Sequence, residues 1–397
     1  MTEEHQDWSV EHWGTLTFGT RIFLDDPAPT HQGQKGNNSS LTFEPTIYSE
    51  SAEGNSFTFT PFIMIDSVDS ERTHVDIREA YYLTFGSLGE SEWELRIGID
   101  QVFWGTAESH NPVNVINQTD YVVHPNGESK LGQPMVHGTL AGDWGMLDAF
   151  ILPYHRPRTF PGIKGRFRTR LPVQNSRKQI MYASTSRRNN IDLAARYSNS
   201  IGALDFGVSY FDGTSRDPRL LPNAVNLNDA TELIQYYDLI KQFGLDLQLT
   251  IGSFLGKAEW VTREAIDENK SRSRTHKSVL GGEYAIYGIF ESEADLTLFA
   301  EWIHDTGDKT QLPLQDDMFY AARYAFNDIM DTDITVALID DLDFDTKTLN
   351  IEFNRRLSDT FSLTVEAFKF LEEDQRDIPS QQIAKDEYVS LEMSYSY

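Results

Sequence analysis

Hydrophobic and polar residues alternate with a period of two along most of the chain, the pattern of strands with one apolar and one polar face. The last segment is the clearest. Val389, Leu391, Met393, Tyr395 and Tyr397 share one face, and Ser390, Glu392, Ser394 and Ser396 share the other. The same alternation sets Trp93, Leu95, Ile97 and Ile99 against Glu94, Arg96, Gly98 and Asp100. Counted this way, strands are predicted over 12–24, 40–50, 56–66, 74–86, 92–104, 134–142, 145–153, 189–199 and 202–213. Nine more follow over 240–251, 255–267, 276–289, 294–306, 316–326, 332–341, 346–357, 360–372 and 387–397.

Short and long connections take turns between these segments. The links near 51–55, 87–91, 141–144 and 357–359 are tight, whereas 25–39, 105–133, 154–188 and 214–239 are long. A secreted sandwich or β-helix also alternates but has no reason to keep this parity. A transmembrane antiparallel β-barrel does, with short periplasmic turns, long extracellular loops and an even strand number. The expectation is therefore an all-β fold of about 18 strands, with residues 1–11 as an N-terminal periplasmic tail and 12–397 as one barrel domain. Glu79 shares parity with Val75, Ile77 and Leu83, so a bulge near Arg78 is needed to keep that carboxylate out of lipid. Pro45 and Pro61 fall inside predicted strands, where each removes a ladder hydrogen bond.

Composition narrows the field. With 34 Lys and Arg against 61 Asp and Glu, the net charge is −27, which opposes a nucleic-acid-binding surface. The chain has no cysteine, so disulfides, thiolate metal sites and thiol catalysis are excluded. No stretch approaches the roughly 18 apolar residues of a membrane-spanning helix.

The stretch Arg96-Ile97-Gly98, Gln101, Trp104-Gly105 and Asn114-Val115-Ile116-Asn117-Gln118-Thr119-Asp120 resembles a segment of a Gram-negative outer-membrane porin family. That family is loosely grouped with alginate-export-type porins, and many members have no assigned substrate. Leu152-Pro153-Tyr154-His155-Arg156-Pro157, Phe160-Pro161, Gly282-Glu283-Tyr284 and Arg323-Tyr324-Ala325-Phe326-Asn327-Asp328 extend the likeness toward the C-terminus. The resemblance implies an integral protein of the bacterial outer membrane that acts as a channel. A conduit for amphipathic or lipid-like molecules working with a periplasmic partner, and a plugged barrel serving as scaffold or adhesin, are the alternatives. The aromatic ending at Tyr397 matches the signal by which such barrels engage their assembly machinery.

Candidate chemistry centres on charge. Between Asp148 and Asp192 there is no carboxylate, yet ten of the 34 basic residues lie there. Arg156, Arg158, Lys164, Arg166, Arg168 and Arg170 are candidate pore or selectivity residues, with the last four expected on one face of an extended strip. Inside the lumen the strip would favour anionic solutes; outside it would meet lipopolysaccharide phosphates. Arg96 and Arg196 join them from a mixed wall that also carries Arg21, Arg78, Lys257, Arg263, Glu259, Glu301 and Glu366. Asp340, Asp341, Asp343 and Asp345 crowd one loop as a possible cation rim, though with no EF-hand spacing and no confident metal site. No His-Glu-x-x-His, Gly-x-Ser-x-Gly or phosphate-binding glycine loop occurs, so neither enzyme activity nor a cofactor is expected. The expected partners are membrane lipid, lipopolysaccharide and a small-molecule solute.

Overall fold

The alternating segments hydrogen-bond edge to edge until the sheet meets itself. The computed structural model describes residues 8–27, 33–267 and 269–397. In chain order its strands begin with β1 (Ser9–Phe23), β2 (Asn38–Glu50), β3 (Ser56–Asp66), β4 (His74–Leu88), β5 (Ser91–Asp100), β6 (Gln133–Gly142) and β7 (Gly145–Leu152). There follow β8 (Val173–Gln174), β9 (Met181–Tyr182), β10 (Asp192–Ile201), β11 (Leu204–Thr214), β12 (Arg219–Pro222), β13 (Leu233–Tyr237) and β14 (Leu239–Ile251). The remainder are β15 (Phe254–Ile266), β16 (Arg272–Ile286), β17 (Asp295–Asp305), β18 (Asp316–Ala325), β19 (Asp333–Asp341), β20 (Lys347–Arg356), β21 (Phe361–Glu372) and β22 (Tyr388–Ser396).

All but β8, β9, β12 and β13 form one closed, 18-stranded antiparallel barrel, so the predicted strand number and each predicted strand are present. β1 begins at Ser9, three residues before the predicted boundary, and residues 1–7 of the expected tail lie outside the described residues. Closure is made by β1 and β22, in register from Thr15 opposite Ser396 to Phe23 opposite Tyr388. No helix among the described residues is long and apolar enough to cross a membrane. One α-helix, α1 (Ile378–Ile383), sits in the connection before β22.

Side-chain alternation sets the two surfaces. Along β22, Val389, Leu391, Met393 and Tyr395 face outward and exposed, while Tyr388 and Ser390 are buried inside. The bulge expected near Arg78 is present. Thr60 pairs with Glu79 and Pro61 with Ile77, so Arg78 is the extra residue and Glu79 turns inward to accept a hydrogen bond from Thr60 at 3.2 Å. Between β2 and β3 the ladder lapses across residues 44–46, beside Pro45 and Pro61, and resumes at Ile47–Phe59 without a slip. Both prolines are thus tolerated where the ladder asks for no donor.

β5 stops at Asp100, four residues short of the predicted end. The Asp100 carboxylate accepts the Gln101 N–H at 2.8 Å and Asn117 Oδ1 accepts the Val102 N–H at 2.8 Å. Those side chains satisfy the backbone as the chain leaves the wall, and residues 101–132 fold inward.

Candidate functional site

Residues 101–132 lie against the inner wall because the wall offers acceptors and an apolar seat. Glu259, on β15, accepts the N–H groups of Thr106, Ala107 and Val113 at 2.7, 3.0 and 3.3 Å and the Asn111 amide at 2.9 Å. Glu301, on β17, accepts the N–H groups of Glu108 and Ser109 at 3.0 and 2.8 Å. Trp104, Val113, Val115 and Ile116 pack with Met135, Phe150, Leu152, Phe211, Ile240 and Val261 from five wall strands. This apolar core fills one side of the lumen, and its burial supplies the nondirectional part of the hold.

The motif Asn117-Gln118-Thr119-Asp120 is the keystone of the segment, and all four residues are buried. Asn117 donates to the carbonyls of Asp100 and Leu131, both at 2.9 Å, tying the two ends of the segment together. Asp120 binds the bulge residue Arg78 at 2.7 Å and accepts from Thr159 at 2.7 Å. Burial pushes the Asp120 carboxyl up, but the neighbouring His74 ring at 3.7 Å, the Arg78 charge and the hydrogen bond from Thr159 outweigh it and bring it to about 2. Farther on, His124 reaches Glu366 on β21 at 3.1 Å, so the segment crosses the lumen.

A second layer covers the mouth on the loop side. Residues 153–191 and 215–238 share a four-stranded sheet in which β8 and β9 run parallel to β13 and β12 runs antiparallel to it. This lid starts at β7 and reaches the rim beside β1 and β22. There Arg166 binds Asp386 at 2.5 Å and the carbonyls of Asp25 and Lys385. Phe167 packs between Phe23 of β1 and Tyr388 of β22, with ring centroids 5.9 and 5.3 Å away.

The candidate cations therefore part company. Arg156 bridges to Asp76 on β4 at 2.6 Å and to the Gly132 carbonyl at 2.7 Å, holding lid to wall. Lys164 and Arg170 are exposed, whereas Arg166 and Arg168 are buried. The extended strip with all four on one face does not form. A turn closed by the Gly165 N–H on the Gly162 carbonyl at 3.0 Å carries Lys164 out of line with Arg166, and Phe167 takes a left-handed backbone with φ of 56°, so the segment is not an extended strip. On the wall, Arg96 pairs with Glu94 at 2.7 Å and Asp100 at 3.3 Å, and Arg196 pairs with Asp246. The acidic rim is likewise tied up: Asp340 with Lys347 at 3.9 Å, Asp343 with Lys309 and Asp345 with Arg376 at 3.9 Å. Asp341 accepts from Gln315 and from the N–H groups of Asp343 and Phe344. Among the described residues, no three His, Cys, Asp or Glu side chains gather as a metal site.

Arg158 alone of the candidates enters a cluster of cations around Asp217. It binds Asp217 at 2.7 Å, and Arg263 of β15 binds the other oxygen of Asp217 at 2.7 Å. Lys277 of β16 pairs with Asp305 at 2.8 Å. The Asp217 side chain is 46% exposed, and Arg263, Lys277 and Arg158 together hold its carboxyl well below the usual carboxylate range. Lys130 faces the same group, and burial and the Arg158 charge bring its ammonium down to about 8. His110 lies beside the group and is exposed. The cluster thus sets four cations, Lys130, Arg158, Arg263 and Lys277, against Asp217 and Asp305. Below it, toward the turn end, a cavity of about 380 Å³ opens beside Thr106, Asp205, Asp246 and Met146.

Sequence reading singled out Arg158 and the inward parity of Arg263, Glu259 and Glu301. It missed Lys130, Lys277, His110 and Asp217. For Lys277 the signal was present, since Lys277, Val279 and Glu283 share an inward parity.

No curated protein matches the sequence. Among solved structures, the fold is similar to OpdQ of Pseudomonas aeruginosa (TM-score 0.52, 11% identity, 98% of each chain covered). It is also similar to a BenF-like porin from Pseudomonas fluorescens Pf-5 (TM-score 0.54, 9% identity, covering 99% of this chain and 98% of the other). At that identity the likeness concerns fold alone. The family model for a protein of unknown function, DUF1302, matches residues 30–366, and the chain belongs to that family.

Proposed function

We propose that this protein is an integral channel of the bacterial outer membrane that passes small hydrophilic solutes, with a preference for anionic ones. The observation that carries the reading is a closed barrel, apolar outside and charged inside, into which residues 101–132 are anchored beside a cluster of cations around Asp217, whose carboxylate reaches water. Such an arrangement narrows a lumen without chemistry, and positive side chains at the narrow point lower the barrier for anions. In this reading both termini lie on the periplasmic side, and the lid faces outward toward lipopolysaccharide. Tyr397 then ends the strand offered to the assembly machinery. Nothing in the comparisons adds to the grouping with alginate-export porins, which rests on the sequence motifs.

Selectivity is assigned to Lys130, Arg158, Arg263 and Lys277. Arg156 and Arg166 hold the loops, and Arg96 and Arg196 brace the wall. Reversal potentials in planar bilayers under a salt gradient test this. The wild type is expected to prefer anions, and Arg158→Glu with Lys277→Glu to prefer cations, most strongly at low salt, where the Debye length is about 30 Å at 0.01 M. A silent barrel would defeat the channel reading, and an unchanged preference would defeat the residue assignment.

The pH dependence has a definite sign. Lys130 at about 8 is charged at pH 7 and neutral by pH 9.5, so anion preference is expected to fall across that range. The loss should be absent in Lys130→Met. A flat profile in the wild type would place Lys130 away from the solute path.

A further inference from the structure

Close to the seam between β1 and β22, a cavity of about 20 Å³ is lined by Arg21 of β1, by Arg72 of the loop after β3, and by Lys164 and Arg166 of the lid. Arg21 is only 8% exposed, its Nε has no partner, and its side chain makes no hydrogen bond or ion pair among the described residues. Its guanidinium instead lies over the rings of Tyr388 and Phe167, at 4.8 and 5.6 Å. Arg166 is buried with Nη1 unpartnered. A buried cationic donor left unmatched is costly, and here two of them border one space.

Two carboxylates also line the cavity, but their oxygens are already engaged. Asp66 accepts from Asn38 and Arg72 at 2.6 and 2.9 Å and from the N–H groups of Val68 and Asp69, both at 2.9 Å. Asp69 accepts the N–H groups of Gly162 and Glu71 at 3.0 Å. Neither is directed at Arg21. The cavity exceeds the roughly 10–15 Å³ that one water-sized particle requires, and it is too small for a tetrahedral oxyanion.

We propose that this cavity binds a single halide-sized anion, chloride in ordinary salt, which completes the coordination of Arg21 and Arg166 and clamps the lid to the rim. The cations come from three separate elements, and Arg72 and Arg166 already pair with Asp66 and Asp386 at 2.9 and 2.5 Å. An anion in the cavity would supply the acceptor that Arg21 Nε and Arg166 Nη1 lack. The site is separate from the cationic cluster around Asp217 and does not depend on the channel reading.

Crystals of the full chain soaked in sodium bromide, with diffraction recorded at the bromine edge, test the site directly. An anomalous peak within hydrogen-bond distance of the Arg21 and Arg166 guanidinium groups is expected. Ordered side chains with water alone in the cavity would overturn the proposal. In detergent solution the Tm should be higher in sodium chloride than in sodium gluconate at equal ionic strength, and Arg21→Met should abolish that difference. If Arg21→Met fails to assemble, Lys164→Gln replaces it, with the half-saturating chloride concentration expected to rise several-fold. An identical chloride response in wild type and variant would overturn the clamp.

Discussion

The Arg78→Ala protein keeps its barrel but loses the fixed placement of residues 117–131. Arg78 and Asp120 are 5% and 0% exposed at the side chain, and removing one partner of such a pair costs about 3–5 kcal/mol because the other charge stays buried. Arg78 also donates to the Lys130 carbonyl at 3.1 Å and to Asp76 at 3.0 Å, and it lies over the Phe62 ring at 4.0 Å. The loss should appear as faster amide exchange across 117–131, with the wall strands protected as before. Adding Asp120→Asn should recover part of it, since a neutral amide tolerates burial better. The Asp120 carboxyl has a depressed folded value near 2, so its contribution is complete above the ordinary carboxylate value of about 3.9 and fades as pH falls through about 2. Exchange rates equal to the wild type would mean that Asn117 and the apolar core hold the segment unaided.

Glu259→Ala is expected to give a wider and noisier conductance. Four donors lose their acceptor at once, and each buried donor left unmatched costs roughly 1–3 kcal/mol. Residues 106–113 then gain by leaving the wall for water. Val113, Val115 and Ile116 oppose the departure through the apolar core, so fluctuation between seated and released states is expected rather than a permanent opening. Glu259→Gln keeps one acceptor oxygen and should restore most of the seating. Single-channel traces identical to the wild type would show that apolar packing alone positions the segment.

Much of the wall was legible in the sequence because a period of two survives local noise, as β22 illustrates, and because one misplaced carboxylate, Glu79, marked the bulge beside it. The site was harder to read. Glu259 and Glu301 looked like ordinary inward carboxylates, and nothing in their spacing says that each waits for backbone donors about 150–190 positions away. Val113, Val115 and Ile116 read as loop residues because no strand period frames them. Lys130, Arg158, Asp217, Arg263 and Lys277 come from five stretches of chain that meet only after the wall has closed. The cation strip failed for a local reason, since the turn at Gly162–Gly165 and the left-handed backbone at Phe167 keep the segment from being extended.

A single-chain barrel has one joint that the chain itself does not run across, and here it lies between β1 and β22. Arg166 and Phe167 fasten that joint from the middle of the sequence, gripping the strand that leaves β1 and the strand that enters β22. Parting the two strands sideways would first require the lid to be lifted off the mouth. In the proposed channel, this latch closes the joint against lateral exit into the bilayer and leaves the barrel axis as the path.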